Sequence, residues 1–185
     1  MSGIVPCGRC RIFLWKGCDI ILKHGRKIIG LGILFLVLTA FDQWTKWVCV
    51  LHLKGHDLEL IPGVFDLHYL ENRGAAFGML QNQRILLLLI TFLFFGVVVY
   101  LLCRIPGERR YLPMQSVLVV LLSGAVGNMV DRVFRGYVID FFYFKLINYP
   151  VFNVADCYVV IAAVVAVILV LFVYQDDDFG WIKRK

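Results

Sequence analysis

Charged residues are scarce in this chain of 185 residues, because Asp, Glu, Lys and Arg together make up only 17% of it. A soluble domain is usually about a quarter charged, so this chain has too few charges to cover a water-facing surface. Hydrophobic residues reach 61% and the mean hydropathy is +0.80. These values exclude a disordered chain. They indicate an integral membrane protein, with room for at most about five spans of roughly 20 residues.

Nucleic-acid and metal-binding signatures are also missing. The net charge is +6, but no basic-aromatic module accompanies it, so the basic residues are expected to set orientation and contact anionic lipid headgroups. The apolar runs contain no cluster of His and Cys with metal-ligand spacing, and we expect neither metal nor cofactor. Cys7 and Cys10 form an isolated CxxC, which we interpret as reduced thiols in a cytoplasmic tail.

Four long apolar runs cover about residues 28–53, 85–103, 114–134 and 155–174. Each is near the length that crosses about 30 Å of hydrocarbon, and a lone segment in lipid satisfies its backbone only as a helix. The predicted fold is therefore a membrane α-helical bundle of four transmembrane helices within residues 28–174. Residues 1–27 form a basic tail, compatible with either an amphipathic interfacial helix or an unstructured segment, and residues 175–185 form a charged tail.

The distribution of Lys and Arg predicts the orientation of the four spans. Basic residues concentrate in the amino-terminal tail, in the connection after the second run and in the final Lys183-Arg184-Lys185. These segments lie on one side of a four-span chain, which the positive-inside rule makes cytoplasmic. Both termini are then cytoplasmic, and residues 54–84 and 135–154 form the two outer loops.

The first outer loop carries a strand signal. In LELIPGVFDLHYLENRG, Pro62-Gly63 predicts a turn, and Phe65, Leu67 and Tyr69 follow it at every second position. This alternation favours a small β element on the membrane surface. The AAFGMLQNQ that comes next is compatible with a short helix leading into the second span.

Three spans contain polar side chains that are costly in lipid, at roughly 2.5–3.5 kcal/mol for a mid-helix Asp. Asp42 and Lys46 are four positions apart and therefore form a pair on one helix face, with a site role and an interfacial ion pair both open. Asn128, Asp131 and Arg132 also share one face. Asp131 can pair with Arg132 or with Arg135, which favours a structural role.

Asp140 and Asp156 differ from these residues because no cation lies within four positions of either. They flank the connection between the third and fourth spans, so antiparallel packing of these helices would bring the two carboxylates together. Asn153 can cap the fourth helix or bond to them. Two close carboxylates in an apolar setting retain one proton, which is the acid/base pair of an aspartic protease. Proton-coupled transport and structural pairing remain open at this point.

Four segments in order carry a resemblance to a known family: FDQWTK around Asp42, ENRGAAFG at 71–78, SGAVGNMVDRVFRGYVIDFF at 123–142 and VFNVADCYVVIA at 151–162. Together they resemble the motifs of lipoprotein signal peptidase, or signal peptidase II, over roughly residues 30–174. The amino-terminal tail is longer than this family needs, and the loop between Asp140 and Asp156 is short.

The resemblance implies an intramembrane aspartic endopeptidase of the bacterial inner membrane. Such an enzyme removes signal peptides from diacylglyceryl-modified prolipoproteins and cleaves before the lipid-modified cysteine, near the periplasmic face. It implies prolipoproteins, membrane lipids and globomycin-type inhibitors as partners of a monomer without cofactor. A small proton-coupled transporter is the alternative, but it predicts polar residues throughout the membrane thickness, whereas here they gather at the outer ends of the helices.

The resemblance also implies roles for particular residues. Asp140 and Asp156 are the implied catalytic pair, and Asp131 is the rival that spacing alone does not exclude. The residues expected to support the site or bind substrate are Asp42 with its partner Lys46, Asn72, Gly74, Asn128, Asp131, Arg132, Asn153 and Ala155.

Overall fold

The computed structural model describes residues 8–75 and 79–183, with side chains described for residues 25–75 and 79–181. Helix α1 spans Gly8–His52, α2 Arg84–Arg104, α3 Leu112–Phe134 and α4 Val154–Ile168, which continues as a π-helical turn to Val173. A fifth helix, α5, covers Gly180–Lys183. Four segments are long and apolar enough to cross a membrane: Gly25–His52, Arg84–Arg104, Arg109–Phe134 and Val154–Val173. The predicted four-helix membrane fold is therefore confirmed.

Helix α1 extends well beyond the first apolar run. Its backbone is helical from Gly8, so most of the basic tail continues the first span as one helix. The structure describes neither the side chains of residues 8–24 nor any part of Cys7. The interpretation of the CxxC therefore falls outside the described residues. The division of the chain at residues 27 and 174 stays a prediction.

Helix α3 is the centre of the bundle and packs against α1, α2 and α4. Two glycines allow the close approach. A Cβ on Gly124 would lie 2.5 Å from the carbonyl oxygen of Ala155 in α4, and a Cβ on Gly127 would collide with the carboxylate of Asp42 in α1. Helix α2 is apolar on all sides and only Leu87 and Val98 are buried, as expected for a lipid-facing helix.

A three-stranded antiparallel sheet lies at the end of the bundle where α1 and α3 finish. Strand β1 spans Leu58–Ile61, β2 Phe65–Asn72 and β3 Val138–Tyr143, in the order β1-β2-β3. The β1–β2 hairpin turns at Gly63, which has φ +71°, so the predicted β element is confirmed.

Strand β3 was missed, because the sequence placed Asp140 in a connecting loop. The segment VIDFFY is rich in the β-branched and aromatic residues that favour strands, but its first four residues are all buried, so the alternation of a half-exposed strand is absent. Ile139 and Phe141 pack with Cys49, Leu53 and Val154 in an apolar cluster that joins β3 to α1 and α4.

The prediction of a short helix before α2 was wrong for the residues that the structure describes. Residues 79–82 form turns, with positive φ at Leu80 and Asn82, and residues 76–78 lie outside the described chain. The turn folds back because the N–H of Ala75 donates to the carbonyl of Met79 (2.7 Å) and that of Asn82 to Arg73 (3.1 Å). These bonds replace the helical ladder.

Candidate active site

Asp140 and Asp156 face one cavity between the sheet and the bundle. The cavity measures about 820 Å³ and its lining includes Asn72, Asn128 and Arg132. Asp140 comes from β3, where it pairs with Leu70 of β2, and Asp156 lies in the first turn of α4. Two residues 16 positions apart meet because β3 leaves the end of α3, and the loop that follows returns to the start of α4.

Two asparagine side chains connect the two carboxylates. The amide nitrogen of Asn153 lies 2.6 Å from Oδ1 of Asp140 and 3.1 Å from Oδ1 of Asn128. The amide nitrogen of Asn128 in turn donates to Oδ1 of Asp156 at 2.8 Å. A hydrogen-bonded path therefore runs from one aspartate to the other, and it fixes the orientation of both carboxylates.

Asp140 is almost completely buried, with 1% of its surface exposed. Its second oxygen accepts the amide of Asn72 at 2.8 Å, and the Asn72 side-chain oxygen is itself held by the N–H of Gly74 at 2.9 Å. Burial, followed by the charge of Asp156, raises the pKa of Asp140 from 3.8 to about 7. A carboxyl with such a pKa can hold a proton near neutral pH.

Asp156 is half-buried and is held from the backbone side. Its Oδ2 accepts the N–H of Asn153 at 3.1 Å, while Oδ1 of Asn153 accepts the N–H of Asp156 at 3.0 Å. This reciprocal pair is a capping box at the start of α4, so the predicted cap is confirmed. The capping box fixes the Asp156 carboxylate in the first turn of α4, beside the N-terminal backbone N–H groups of the helix.

Behind the cavity lies a fully buried charge cluster of Lys46, Asp42 and Asp131, each with 0% exposure. The ammonium of Lys46 lies 2.9 Å from Oδ2 of Asp42 and 3.0 Å from Oδ2 of Asp131. The expected pair of Asp42 and Lys46 is therefore confirmed. Asp131 also pairs with Arg135 at 3.4 Å, which confirms one of the two partners that the sequence offered for Asp131.

The other alternative, a pair of Asp131 with Arg132, was wrong. The guanidinium of Arg132 donates to the carbonyl of Gly74 at 3.1 Å and to that of Asn128 at 3.5 Å, and it lines the cavity. The carboxylate of Asp131 instead lies behind β3, where it accepts the backbone N–H of Ile139 at 3.3 Å. The rival aspartate therefore sits next to the pair rather than in the cavity lining.

Gly74 and Ala155 contribute through their backbones. A Cβ on Gly74 would lie 2.6 Å from the carbonyl oxygen of Met79, so the turn closes over this position only without a side chain. The N–H of Ala155, which precedes Asp156, donates to Oδ1 of Asp42 at 3.0 Å. The structure thus brings all the sequence-predicted site residues to the cavity or to the cluster directly behind it.

Several cavity residues were missed by sequence reasoning. His68 and Tyr143 stand on neighbouring strands with ring centroids 6.2 Å apart, and the Tyr143 hydroxyl donates to Asn148 at 2.8 Å. All three line the cavity. Position 148 has φ +47°, a conformation that favours Asn, but no signal in the sequence pointed to a shared wall.

Among the side chains that the structure describes, no group of three or more His, Cys, Asp or Glu is arranged to hold a metal ion. The buried carboxylates are occupied by lysine, arginine, asparagine and backbone donors. The chemistry that these residues themselves can supply is proton transfer between a buried carboxyl and a more accessible carboxylate.

Comparison with known proteins gives related results at the levels of family, sequence and fold. A family model described as signal peptidase (SPase) II matches residues 34–172. A lipoprotein signal peptidase of Streptococcus thermophilus (strain CNRZ 1066) is 35% identical over 151 residues, which cover 81% of this chain and 95% of that protein. One from Streptococcus pyogenes serotype M5 (strain Manfredo) is 35% identical over 156 residues, covering 84% and 98%.

Two bacterial membrane enzymes solved by the in meso method have the same fold. One matches with a TM-score of 0.67 and 27% identity over 85% of this chain and 93% of its own. The other matches with a TM-score of 0.65 and 29% identity over 81% and 95%. The segment matched by the family model, residues 34–172, reaches into all four spans and includes both cavity aspartates, and on these grounds the chain belongs to the signal peptidase II family.

Proposed function

We propose that this protein is an aspartic endopeptidase that removes signal peptides from prolipoproteins. The observation that carries the proposal is the placement of Asp140 and Asp156 in one cavity, joined through the amides of Asn128 and Asn153. The relatives named as lipoprotein signal peptidases supply the substrate class. The buried and the half-exposed carboxyl supply the acid and the base that peptide hydrolysis needs.

The two aspartates divide the proton transfers between them. The carboxylate of Asp156 takes a proton from water, and the oxygen of that water attacks the scissile carbonyl carbon. Asp140 gives its proton to the carbonyl oxygen, which produces a neutral tetrahedral diol. Asp156 then donates its acquired proton to the departing amine as the C–N bond breaks, and a diol hydroxyl returns a proton to Asp140. The pair ends in its starting state.

Arg132 and the asparagine amides hold the substrate in this mechanism. The guanidinium lies at the cavity wall between Gly74 and Asn128, where its remaining donors can bind backbone carbonyls of an extended peptide. The cleaved bond is the one before a cysteine that carries diacylglycerol. Val159 and Val160 of α4 line the cavity and belong to the fourth apolar span, so lipid on that cysteine would be accommodated beside them.

The site belongs at the outer face of the bacterial inner membrane. Asp140 and Asp156 lie beyond the end of α3 and at the start of α4, on the side of the sheet. Arg104, Arg109 and Arg110 lie at the opposite end, from the last residue of α2 to the start of α3, which the positive-inside rule assigns to the cytoplasm. A prolipoprotein signal helix would therefore present its cleavage site at the depth of the two carboxylates.

Cleavage of a diacylglyceryl-modified prolipoprotein by the purified protein in lipid nanodiscs tests this proposal. We expect Asp140→Asn and Asp156→Asn each to lower kcat by at least about 100-fold, since general acid–base groups contribute about 10²–10⁴-fold. Asp131→Asn should leave measurable activity. Asp178→Asn is the matched control, because this carboxylate pairs with Arg110 at the other end of α3.

If folded Asp140→Asn or Asp156→Asn cleaves the substrate at nearly the wild-type rate, the aspartic mechanism is wrong. If the wild-type protein does not cleave the substrate but drives proton uptake into vesicles, the result would instead support the transporter. Globomycin should inhibit cleavage if the peptidase proposal holds.

A further inference from the structure

The ammonium group of Lys46 has three hydrogen-bond donors, and each has its own acceptor. These acceptors are Oδ2 of Asp42 (2.9 Å), Oδ2 of Asp131 (3.0 Å) and Oδ1 of Asn128 (3.0 Å). Lys46 is completely buried and therefore closed off from bulk solvent. An ammonium can make no further bonds in this arrangement, and its position is set by one residue of α1 and two of α3.

Each of the three acceptors of Lys46 also bonds either to a cavity aspartate or to the residue directly before one. Asn128 donates to the carboxylate of Asp156 at 2.8 Å. Asp42 accepts the N–H of the residue before Asp156, at 3.0 Å. Asp131 accepts the N–H of the residue before Asp140, at 3.3 Å. One ammonium is therefore a single bond away from the groups that fix the Asp156 side chain, the start of α4 and the backbone of β3.

We infer that Lys46 is the positioning residue of the catalytic pair, setting the separation and orientation of Asp140 and Asp156 from a single buried point. This inference rests on the proposed function. Lys46 does not touch the carboxylates of the pair, so it acts through Asn128, Asp42 and Asp131. It explains why a full charge is kept in the membrane-spanning part of α1, where an apolar residue would cost less.

The orientation of the Asn128 amide is the most sensitive element. Its oxygen receives two donors, from Lys46 and from the Asn153 amide, and this leaves its nitrogen directed at Asp156. Without the Lys46 donor the amide can turn, and Asp156 then meets an oxygen instead of an N–H. Misplacement of a reacting group by about 1 Å costs about 100-fold in rate, so the effect belongs in kcat rather than in substrate binding.

Two variants, one single and one triple, separate positioning of the catalytic pair from simple charge balance. Lys46→Met removes the ammonium and its three hydrogen bonds. It also leaves two buried carboxylates uncompensated, which is strongly destabilising. The triple variant Lys46→Met, Asp42→Asn, Asp131→Asn removes all three charges and keeps side-chain oxygens for the two backbone N–H groups. Lys27→Met is the control, because Lys27 lies on the same helix and, within the described part of the chain, donates to the Gly107 carbonyl at the other end of the span.

We expect the triple variant to unfold within a few degrees of wild type in nanodiscs, with KM for the lipid-modified substrate within about twofold and kcat at least about 10-fold lower, up to about 100-fold. Asn128→Ala should cost less in the triple background than in wild type, because the two changes act on the same bond. Lys27→Met should behave as wild type.

Wild-type kcat in the triple variant would overturn the inference and leave Lys46 as a neutralising charge. Additive effects with Asn128→Ala would also overturn it, as would failure of both Lys46 variants to fold, which would assign Lys46 to stability alone. Inactive Asp140→Asn and Asp156→Asn proteins beside an active triple variant would reject this inference while keeping the proposed function.

Discussion

The side-chain amide of Asn153 lies 2.6 Å from Oδ1 of Asp140, although the two residues belong to different elements. The backbone N–H of Asn153 binds Oδ2 of Asp156 at 3.1 Å. The residue that caps α4 therefore holds the two carboxylates at once, one with its side chain and one with its main chain. A helix cap and a bridge between the two cavity carboxylates are combined in a single asparagine.

Two substitutions at Asn153 should separate its two functions. Asn153→Ala removes both the cap and the amide bridge, and we expect a loss of about 1 kcal/mol in the free energy of unfolding with a large loss of kcat. Asn153→Ser keeps a capping oxygen but cannot reach Asp140, so stability should return while kcat stays low. Thermal unfolding and cleavage kinetics measure the two effects. Recovery of activity in the Ser variant would contradict a bridging role.

The pH dependence of cleavage should report the proton on Asp140. Its pKa is raised to about 7 by burial and by Asp156, with Asn72, Asn153 and Lys46 acting in the other direction. Because the proposed mechanism needs this proton, kcat/KM should fall as pH rises through about 7. A rate profile that stays flat from pH 6 to about 9 would be incompatible with Asp140 as the acid.

The same raised pKa has a consequence for stability. The folded protein binds the Asp140 proton more tightly than the unfolded chain, so this contribution is fully present below about pH 4 and is lost as pH rises through about 7. We expect the melting temperature of wild type, measured relative to Asp140→Asn, to decrease over this range. Comparing the melting temperatures of wild type and Asp140→Asn at each pH removes contributions that the two proteins share. A difference that stays constant with pH would contradict the raised pKa of Asp140.

Local sequence patterns predicted the spans, the β1–β2 hairpin, the Asp42–Lys46 pair and the Asn153 cap, because each depends on neighbours within a few positions. They could not predict β3, whose place depends on pairing between residues such as Leu70 and Asp140. The bond from Lys46 to Asn128 joins positions 82 apart. No period along either helix encodes such a contact, and the choice of Lys46 over Arg132 as a partner for Asp131 follows from packing alone.

Gly127→Ala should be harmful although the residue is neither charged nor catalytic. A Cβ at this position would occupy the space of the Asp42 carboxylate and lie 3.3 Å from the Ala155 side chain. Overpacking of this kind costs about 1–3 kcal/mol, and displacement of Asp42 would also disturb the Ala155 N–H. We expect a lower melting temperature and lower kcat.

Gly96→Ala in α2 is the matched control for Gly127→Ala, because nothing lies within 4 Å of a Cβ there. Alanine is the better helix former by about 1 kcal/mol, so this variant should be as stable as wild type or more so. Equal behaviour of the two glycine variants would show that α1 and α3 do not depend on close approach at Gly127.

The orientation of the spans can be tested with single cysteines in a chain whose own six cysteines are replaced. Asp57 precedes β1 and Glu108 lies between α2 and α3, and both positions are exposed. Because the basic residues around position 108 assign it to the cytoplasm, Asp57→Cys should react with a membrane-impermeant maleimide in intact spheroplasts. Glu108→Cys should react only after lysis, and the reverse pattern would place the cavity on the cytoplasmic side, away from translocated lipoproteins.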